Sequence, residues 1–463
     1  MEVSQEYAAN QRKKGCELNM DAIRSFLEKK GYSTVNADYY AKIKNWEDWF
    51  TCTVDDFHKT VFFNGITNVD KEIKMLGMAK TVCETWANLM MNERVKIGVG
   101  DDAQNKILID ILNANKFWTN ANQLVELYCA LGTGAFVEYL DGDDIRIDYI
   151  RASMIYPLSW DSRGVQECAF ASNVHNSKGD CIYIQMHVLE NGKYKIENHM
   201  IIDDDEYGFK EIELPEDVEE VFYTNSDIPL FQIIKPNIIN NYDLKNPMGI
   251  SVYANAIDIL KEIDMAFDAL DVEIETGRRM VFLSADMFFT DENGDVRNIV
   301  GNKEKVLRYI GGMDQQMIKD FSPALRTNEI KETIQFQLNL LSEKCGMGTN
   351  QFEFTTRGTK TATEIISEDS DLYQSLKKHE IFLQQAIEGM VYAIQSLDGG
   401  FSIKEIQVNF DDSIIQDKDA ERQQYKEEVA AGLMGPVEYR MRVYNEDEET
   451  AQSKIPEKAD VMP

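Results

Sequence analysis

Residues 328–397 constrain this chain more than any other stretch. Ile330, Ile334, Leu338, Leu341 and Cys345 recur at spacings of three and four, so one helix face is apolar. Gly346 and Gly348 stop that helix, because glycine accepts the left-handed backbone of a helix end. A polar loop follows, Thr349 to Gly358, carrying Arg357, with Lys360 just beyond. Thr361-Ala362-Thr363-Glu364 then has the form of a capping box. From there Ala362, Ile366, Tyr373, Leu376, Leu383, Ile387, Met390, Ile394 and Leu397 keep a helical period, interrupted by Asp369 and Glu380. That helix would run roughly 55 Å. An average helix has about 11–12 residues. One this long crosses a large domain or lies against a copy of itself.

The rest of the chain is read around that element. Helices are expected at Asp21–Lys30, Ala37–Phe63, Met78–Glu93, Ala103–Asn115 and Thr119–Leu131. The tryptophan stripe with Trp46, Trp49 and Trp86 could serve base stacking, but its spacing favours core packing. From Gly132 to Pro236 the period changes to two. Residues 135–139, 145–149, 168–171, 182–188 and 194–202 read as strands of an antiparallel meander, separated by turns such as Asp141-Gly142 and Asn191-Gly192. The class is therefore α+β. Pro236–Pro247 is an Asn-rich crossover, and a second long helix is expected over Ser251–Leu283, closed by Arg278 and Arg279. Beside its apolar face run Asp264, Asp268, Asp271 and Glu275. Like charges at that spacing repel, so either water bathes the row or something cationic meets it. Residues 285–322 form a β-rich excursion, with a hairpin turn at Asp291-Glu292-Asn293-Gly294-Asp295. That turn is no EF-hand loop, because Val296 and Asn302 stand where Gly and Glu are required. A returning strand is expected at Ile403–Phe410, and a charged helical tail over Asp417–Val443.

Composition narrows the function. The net charge of −32 argues against general affinity for nucleic acid, which needs Lys and Arg to displace counterions. The seven cysteines, Cys16, Cys52, Cys83, Cys129, Cys168, Cys181 and Cys345, include no C-x-x-C pair. The reading is a reducing compartment without a zinc site. The start, Met1 to Glu6, does not read as a signal peptide, and no apolar run nears the span of about 20 residues that a bilayer needs. Manufacture and use in the cytoplasm, or in a particle assembled there, is the expectation. Phosphate-loop, nucleophile-elbow and dinucleotide motifs are missing, and Leu383 stands where a zinc-protease helix would need its second His after His379-Glu380. His187 and His199 fall on neighbouring expected strands, a weak basis for a shared metal. No cofactor and no catalysis are expected.

Thr361 to Ser367, followed by a charged patch and then a long amphipathic helix, resembles the portal proteins of tailed bacteriophages, above all the portal family of phages of low-GC Gram-positive hosts. Asn246-Pro247-Met248-Gly249 with its following helix, Cys345–Ser367, and Asp411–Tyr439 carry the likeness further. The resemblance implies a portal-type subunit. Its mainly helical and antiparallel-β wing would span 30–245 after an N-terminal arm at 1–29, and would include the helix and strand of 361–416. A two-helix stem would use 246–284 and 323–345, a small β clip 285–322, and a helical crown and tail 417–463. It further implies a homo-oligomeric ring, usually of twelve, at one capsid vertex, passing double-stranded DNA during packaging and ejection. Terminase, a head-tail adaptor, and the major capsid and scaffolding proteins would be the partners, with no membrane. By analogy the tunnel loop at 346–360 would touch DNA through Asn350, Thr355, Thr356, Arg357 and Lys360. Asp264, Asp268, Asp271 and Glu275 would line the channel. Asp291, Glu292, Asn293 and Asp295 would face terminase and adaptor. The alternative is a monomeric acidic interaction protein whose long helices pack inside one chain, and an image of the purified protein separates the two.

Overall fold

The computed structural model describes residues 19–63, 67–91, 95–176, 179–204, 208–216, 218–277, 280–284, 288–290, 296–298, 305–309, 318–321, 324–353, 362–398, 406–410, 425–429, 434–444, 452 and 454. The α+β reading holds. Helix α1, Met20–Lys29, is capped by Asn19, whose Oδ1 accepts from the Ala22 amide at 3.1 Å, and buries Ile23, Phe26 and Leu27. Helix α2, Ala37–Thr51, is shorter than its pattern suggests. Cys52 turns left-handed at φ 57° and the Thr53 amide bonds back to Asp48 O, which ends the helix. A single turn, α3 (Asp55–His58), then leads into strands β1 (Lys59–Phe63) and β2 (Asn68–Glu72), paired as a hairpin. Residues 59–63 thus leave the helix expected there, in keeping with the strand preference of Val61, Phe62 and Phe63.

Helices α4 (Met78–Met90), α5 (Asp102–Ala114) and α6 (Phe117–Leu131) flank strand β3 (Lys96–Val99). Trp46, Trp49 and Trp86 are all buried, so the aromatic stripe is core. Gly132 closes α6, and the chain enters β4 (Gly134–Asp141) and β5 (Asp144–Arg151), then a short 3-10 turn at Ala152–Met154. Strands β6 (Ile155–Asp161), β7 (Gly164–Asn176), β8 (Gly179–Glu190), β9 (Lys193–Asp204) and β10 (Gly208–Ile212) form an antiparallel sheet in the order β10-β9-β8-β7-β6. Strand β11 (Val221–Tyr223) also pairs with β9. The β8–β9 turn is Asn191-Gly192, with φ of 52° and 79°, the handedness that two-residue hairpins require. Strand β12 (Phe231–Ile234) returns to β4, giving a second sheet in the order β12-β4-β5.

Helix α7 runs from Ile257 to Thr276, ending earlier than expected. A Cβ on Gly277 would collide with Leu325, so glycine here leaves room for the Leu325 side chain at the helix end. Residues 280–283, read as helix from sequence, instead belong to β13 (Met280–Ser284). The β excursion contains β14 (Phe288–Thr290), β15 (Val296–Asn298), β16 (Lys305–Tyr309) and β17 (Ile318–Phe321). In it β13 lies between a parallel β16 and an antiparallel β17, and β14 pairs with β15. Helix α8 (Thr327–Lys344) follows, then α9, Ala362–Asp398, at 37 residues the longest element described. It buries Leu376, Leu383, Ile387, Met390, Val391 and Ile394 against β12, β4 and α4. Strand β18 (Ile406–Asn409) closes on β3, and α10 spans Pro436–Tyr444.

Candidate functional site

Helices α7 and α8 form an antiparallel rod. Arg326, just before α8, holds Glu273 near the end of α7 through three bonds of 2.8–3.3 Å, while Gln337, farther along α8, reaches back to Glu262. Inward, Leu260 and Ile263 of α7 and Ile334, Leu338 and Leu341 of α8 join the main core. Outward, apolar side chains stay exposed: Met265 is 55% exposed, Phe336 69%, and Val272, two turns on from Met265, is exposed as well. A soluble helix face does not normally present such side chains together.

Three members of the acidic row of α7 meet basic side chains of their own chain. Asp264 is 4% exposed. Its Oδ2 lies 3.0 Å from His58 Nε2, and its Oδ1 accepts the Leu76 amide at 2.8 Å. His58 Nδ1 lies 3.0 Å from Val54 O. A carbonyl only accepts, so Nδ1 carries a hydrogen, and contact on the other side requires a proton between Nε2 and Oδ2. Burial pushes the Asp264 carboxyl above its usual range, opposed by the Leu76 amide and His58. Asp268, also buried, pairs with Lys71 Nζ of β2 and accepts from the Lys74 amide at 3.3 Å. Asp271 holds Lys74 Nζ at 2.7 Å. Glu275 is exposed.

This corrects the expectation that all four carboxylates line a channel. Asp264 and Asp268 are withdrawn from solvent because the β1–β2 hairpin and residues 73–76 fold over that side of α7. Of the two ways to relieve the row, the cationic partner operates for Asp268 and Asp271, while Asp264 shares a proton with His58. His58 has no ligand spacing in the sequence, and Lys71 and Lys74, three apart, are the local signal for the partners of Asp268 and Asp271.

The loop after α8 starts fixed. Gly346 and Gly348 take φ of 78° and 71°, as their place at a helix end predicts. Ser342 Oγ donates to Gly348 O at 2.5 Å, and Trp86 Nε1 donates to Cys345 O at 3.2 Å. Asn350, also left-handed at φ 69°, is half-buried and its Oδ1 accepts from Asn339 Nδ2 at 2.9 Å. Its side chain is thus turned back onto α8, in a loop-fixing position. Thr355, Thr356, Arg357 and Lys360 lie outside the described residues, as do Asp291, Glu292, Asn293 and Asp295, Arg278, Arg279 and Thr361.

The segment Asn246–Gly249 is the joint between sheet and rod. Asn246 Oδ1 accepts from the Met248 amide at 2.9 Å, Lys235 Nζ donates to Pro247 O at 2.7 Å, and Met248 is buried. Gly249 N donates to Thr133 Oγ1 at 3.0 Å, and its carbonyl accepts from the Tyr39 hydroxyl. Gly249 and Gly132 touch backbone to backbone; a Cβ on Gly132 would sit 2.7 Å from Ile250. The motif therefore works through close approach.

The buried histidines do other work. His187 packs against Phe170 and Phe231, and burial lowers its pKa to about 3. His199 Nδ1 lies 2.9 Å from Glu211 Oε1. His379 Nδ1 accepts from the Asn237 amide at 3.0 Å and burial lowers it to about 4, so the ring is neutral. Among the described residues no group of three or more His, Cys, Asp or Glu side chains could hold a metal ion, and no helix is long and apolar enough to cross a membrane.

The family described as "Phage portal protein, SPP1 Gp6-like" matches this sequence over residues 25–460. No curated protein matches it. Among solved structures, a chain from "Virion of native gene transfer agent (GTA) particle" is similar at 10% identity and a TM-score of 0.46, over 92% of this chain and 99% of that one.

Proposed function

The chain belongs to the SPP1 Gp6-like family of phage portal proteins, and on that premise we propose that it assembles as a ring, of twelve copies, at one vertex of a capsid. The ring is the channel for DNA entry and exit and the docking platform for terminase and a head-tail adaptor. The family is one of structural phage proteins, and the chain's place is the virion. The observation that carries the ring is the α7–α8 rod. Its inner face joins the core of its own chain, while Met265 and Phe336 stay 55% and 69% exposed. In a ring the neighbouring rod covers them.

The β strands between 280 and 321 lie at the tip of that rod, and we assign them to the clip that meets terminase and adaptor, with Asp291, Glu292, Asn293 and Asp295 at its turn. The loop beyond Asn350 reaches toward the channel, and Thr355, Thr356, Arg357 and Lys360 touch the DNA backbone there. Sparse cations on an otherwise acidic wall give DNA no deep electrostatic well and let it slide.

Negative-stain imaging with mass photometry of the purified full chain tests this. Rings with a central hole and a mass near 12 × 53.1 = 637 kDa are expected. Phe336→Glu, at an exposed site, should leave the subunit folded and break the rings. A wild-type protein that stays at 53.1 kDa when concentrated overturns the proposal and favours a monomeric interaction protein.

A further inference from the structure

The two sheets of the wing do not close on each other completely. Between β4 and β5 on one side and β7, β8 and β9 on the other lies a cavity of about 430 Å³. That falls within the size range of small-molecule sites. Its walls are apolar, with Val137 and Ile150 facing Phe170 and Ile196. Leu140 and Phe222, both exposed, line it as well, together with the exposed Glu219.

One carboxyl stands in this apolar space. Asp148 of β5 lines the cavity, and its recorded bond is a long one, 3.4 Å, from the Tyr139 hydroxyl. A carboxylate can accept about four hydrogen bonds, so Asp148 can take donors besides the Tyr139 hydroxyl. Among the described residues no cation is paired with Asp148. Arg146, on the same face of β5, is engaged by Asp141 and Asp144. The other polar walls are Gln185 and the Tyr183–Asn198 pair, in which the hydroxyl donates to Asn198 Oδ1 at 2.6 Å. Asn198 also donates to Glu219 O at 2.7 Å, so that pair is committed and Asp148 is not.

We propose that this inter-sheet cavity binds a small organic amine, a protonated nitrogen on a short apolar body, with Asp148 as the counter-ion. The ammonium donates to the Asp148 carboxylate, close to the Tyr139 and Tyr183 side chains that line the same cavity. The body lies against Val137, Phe170 and Ile196.

The empty site prepares a pH signature. Burial holds the Asp148 carboxyl up at about 6, opposed by the Tyr139 hydroxyl. The titratable groups around it are Tyr139, Tyr183, Glu219 and, along the same face of β5, Arg146, which Asp141 and Asp144 engage. An ammonium binds the ionised form, so near pH 6 binding expels a proton, and near pH 8 it does not.

Calorimetry on the full-length protein with n-hexylamine, benzylamine, n-hexanol and hexanoate as probes tests the site. The amines should bind with dissociation constants on the order of 0.1–1 mM, and hexanol and hexanoate at least about tenfold more weakly. Heats measured near pH 6 in buffers of different ionisation enthalpy should show proton release that vanishes near pH 8. Asp148→Asn should cost at least about tenfold in amine affinity and abolish the proton release. Ile196→Phe, which fills the cavity but keeps Asp148, should abolish binding. Hexanol binding as tightly as hexylamine, an unaffected Asp148→Asn protein, or no amine binding at all overturns the proposal. So does a blocked lysine peptide that binds when the free amines do not, which would move the contact to a protein partner. None of these outcomes depends on ring formation.

Discussion

Glu138 shows how far a residue's surroundings depart from what its own strand announces. In Ala135-Phe136-Val137-Glu138-Tyr139 the alternation assigns Glu138 to the polar face of a half-buried strand. Yet β4 is the middle strand of its sheet, with α6 and α9 packed on it, and Glu138 is 0% exposed. Neither carboxyl oxygen has a hydrogen-bond partner. Burial holds its pKa at about 8, well above the ordinary 4.5. The folded protein therefore keeps this proton up to about pH 8, while the unfolded chain releases it near the ordinary value. Over that window the folded state binds more protons, so stability falls as pH rises and levels off above it. Glu138→Gln removes the titration and leaves the shape. The variant should match wild type at about pH 5 and exceed it at about pH 8.5 by an amount on the order of a few kcal/mol. Urea midpoints at the two pH values check this; an equal gap at both would mean that Glu138 does not keep its proton in the folded state.

At the scale of elements, the β1–β2 hairpin depends on α7. A two-stranded hairpin is marginal by itself in water, and here Val61 and Phe63 are exposed, so little of its own surface is buried. What docks it is the file of contacts His58–Asp264, Lys71–Asp268 and Lys74–Asp271. Replacing Asp264 and Asp268 together by Ala takes the partner from the buried Nε2 of His58 and from the Lys71 ammonium, a local cost of about 3 kcal/mol. The amides of Lys59–Phe63 and Asn68–Glu72 should then exchange about a hundredfold faster, while those of α6 keep their protection; hydrogen exchange read by mass spectrometry decides it. Slow exchange in the hairpin would put its stability elsewhere. The same element marks the limit of sequence reading. The long helix at 362–398 was legible because nine apolar residues hold one period over ten turns. The meander was legible because its turns carry Gly and Asn. The row at Asp264–Glu275 was visible as a row, but its burial was not. What covers it arrives from nearly two hundred residues upstream, in a stretch whose apolar spacing extended the preceding helix. Likewise, nothing local in Val281-Phe282-Leu283 says that strands at 305–309 and 318–321 will claim it. The loop was only half legible. Its glycines announced the turn, but not that Asn350 folds back onto Asn339.

For the whole molecule, charge and apolar surface oppose each other in assembly. Each chain carries −32, so a ring of twelve gathers 12 × −32 = −384 formal charges, while the exposed Met265, Val272 and Phe336 gain by being covered. The apolar term hardly depends on simple salt at moderate concentration. The repulsion does, since it extends roughly 30 Å at 0.01 M ionic strength but only about 3 Å at 1 M. Local pairing does not cancel it. Lys71, Lys74 and Arg326 are already committed to carboxylates of their own chain and cannot neutralise a neighbour's. Rings should therefore form more readily as sodium chloride rises from about 0.02 to about 0.5 M, with the subunit concentration at half-assembly falling by at least about tenfold. Mass photometry across a salt series measures it directly. The opposite slope, rings that fall apart as salt rises, would show that ion pairs between subunits hold the ring and that the exposed apolar face of the rod is not its main contact.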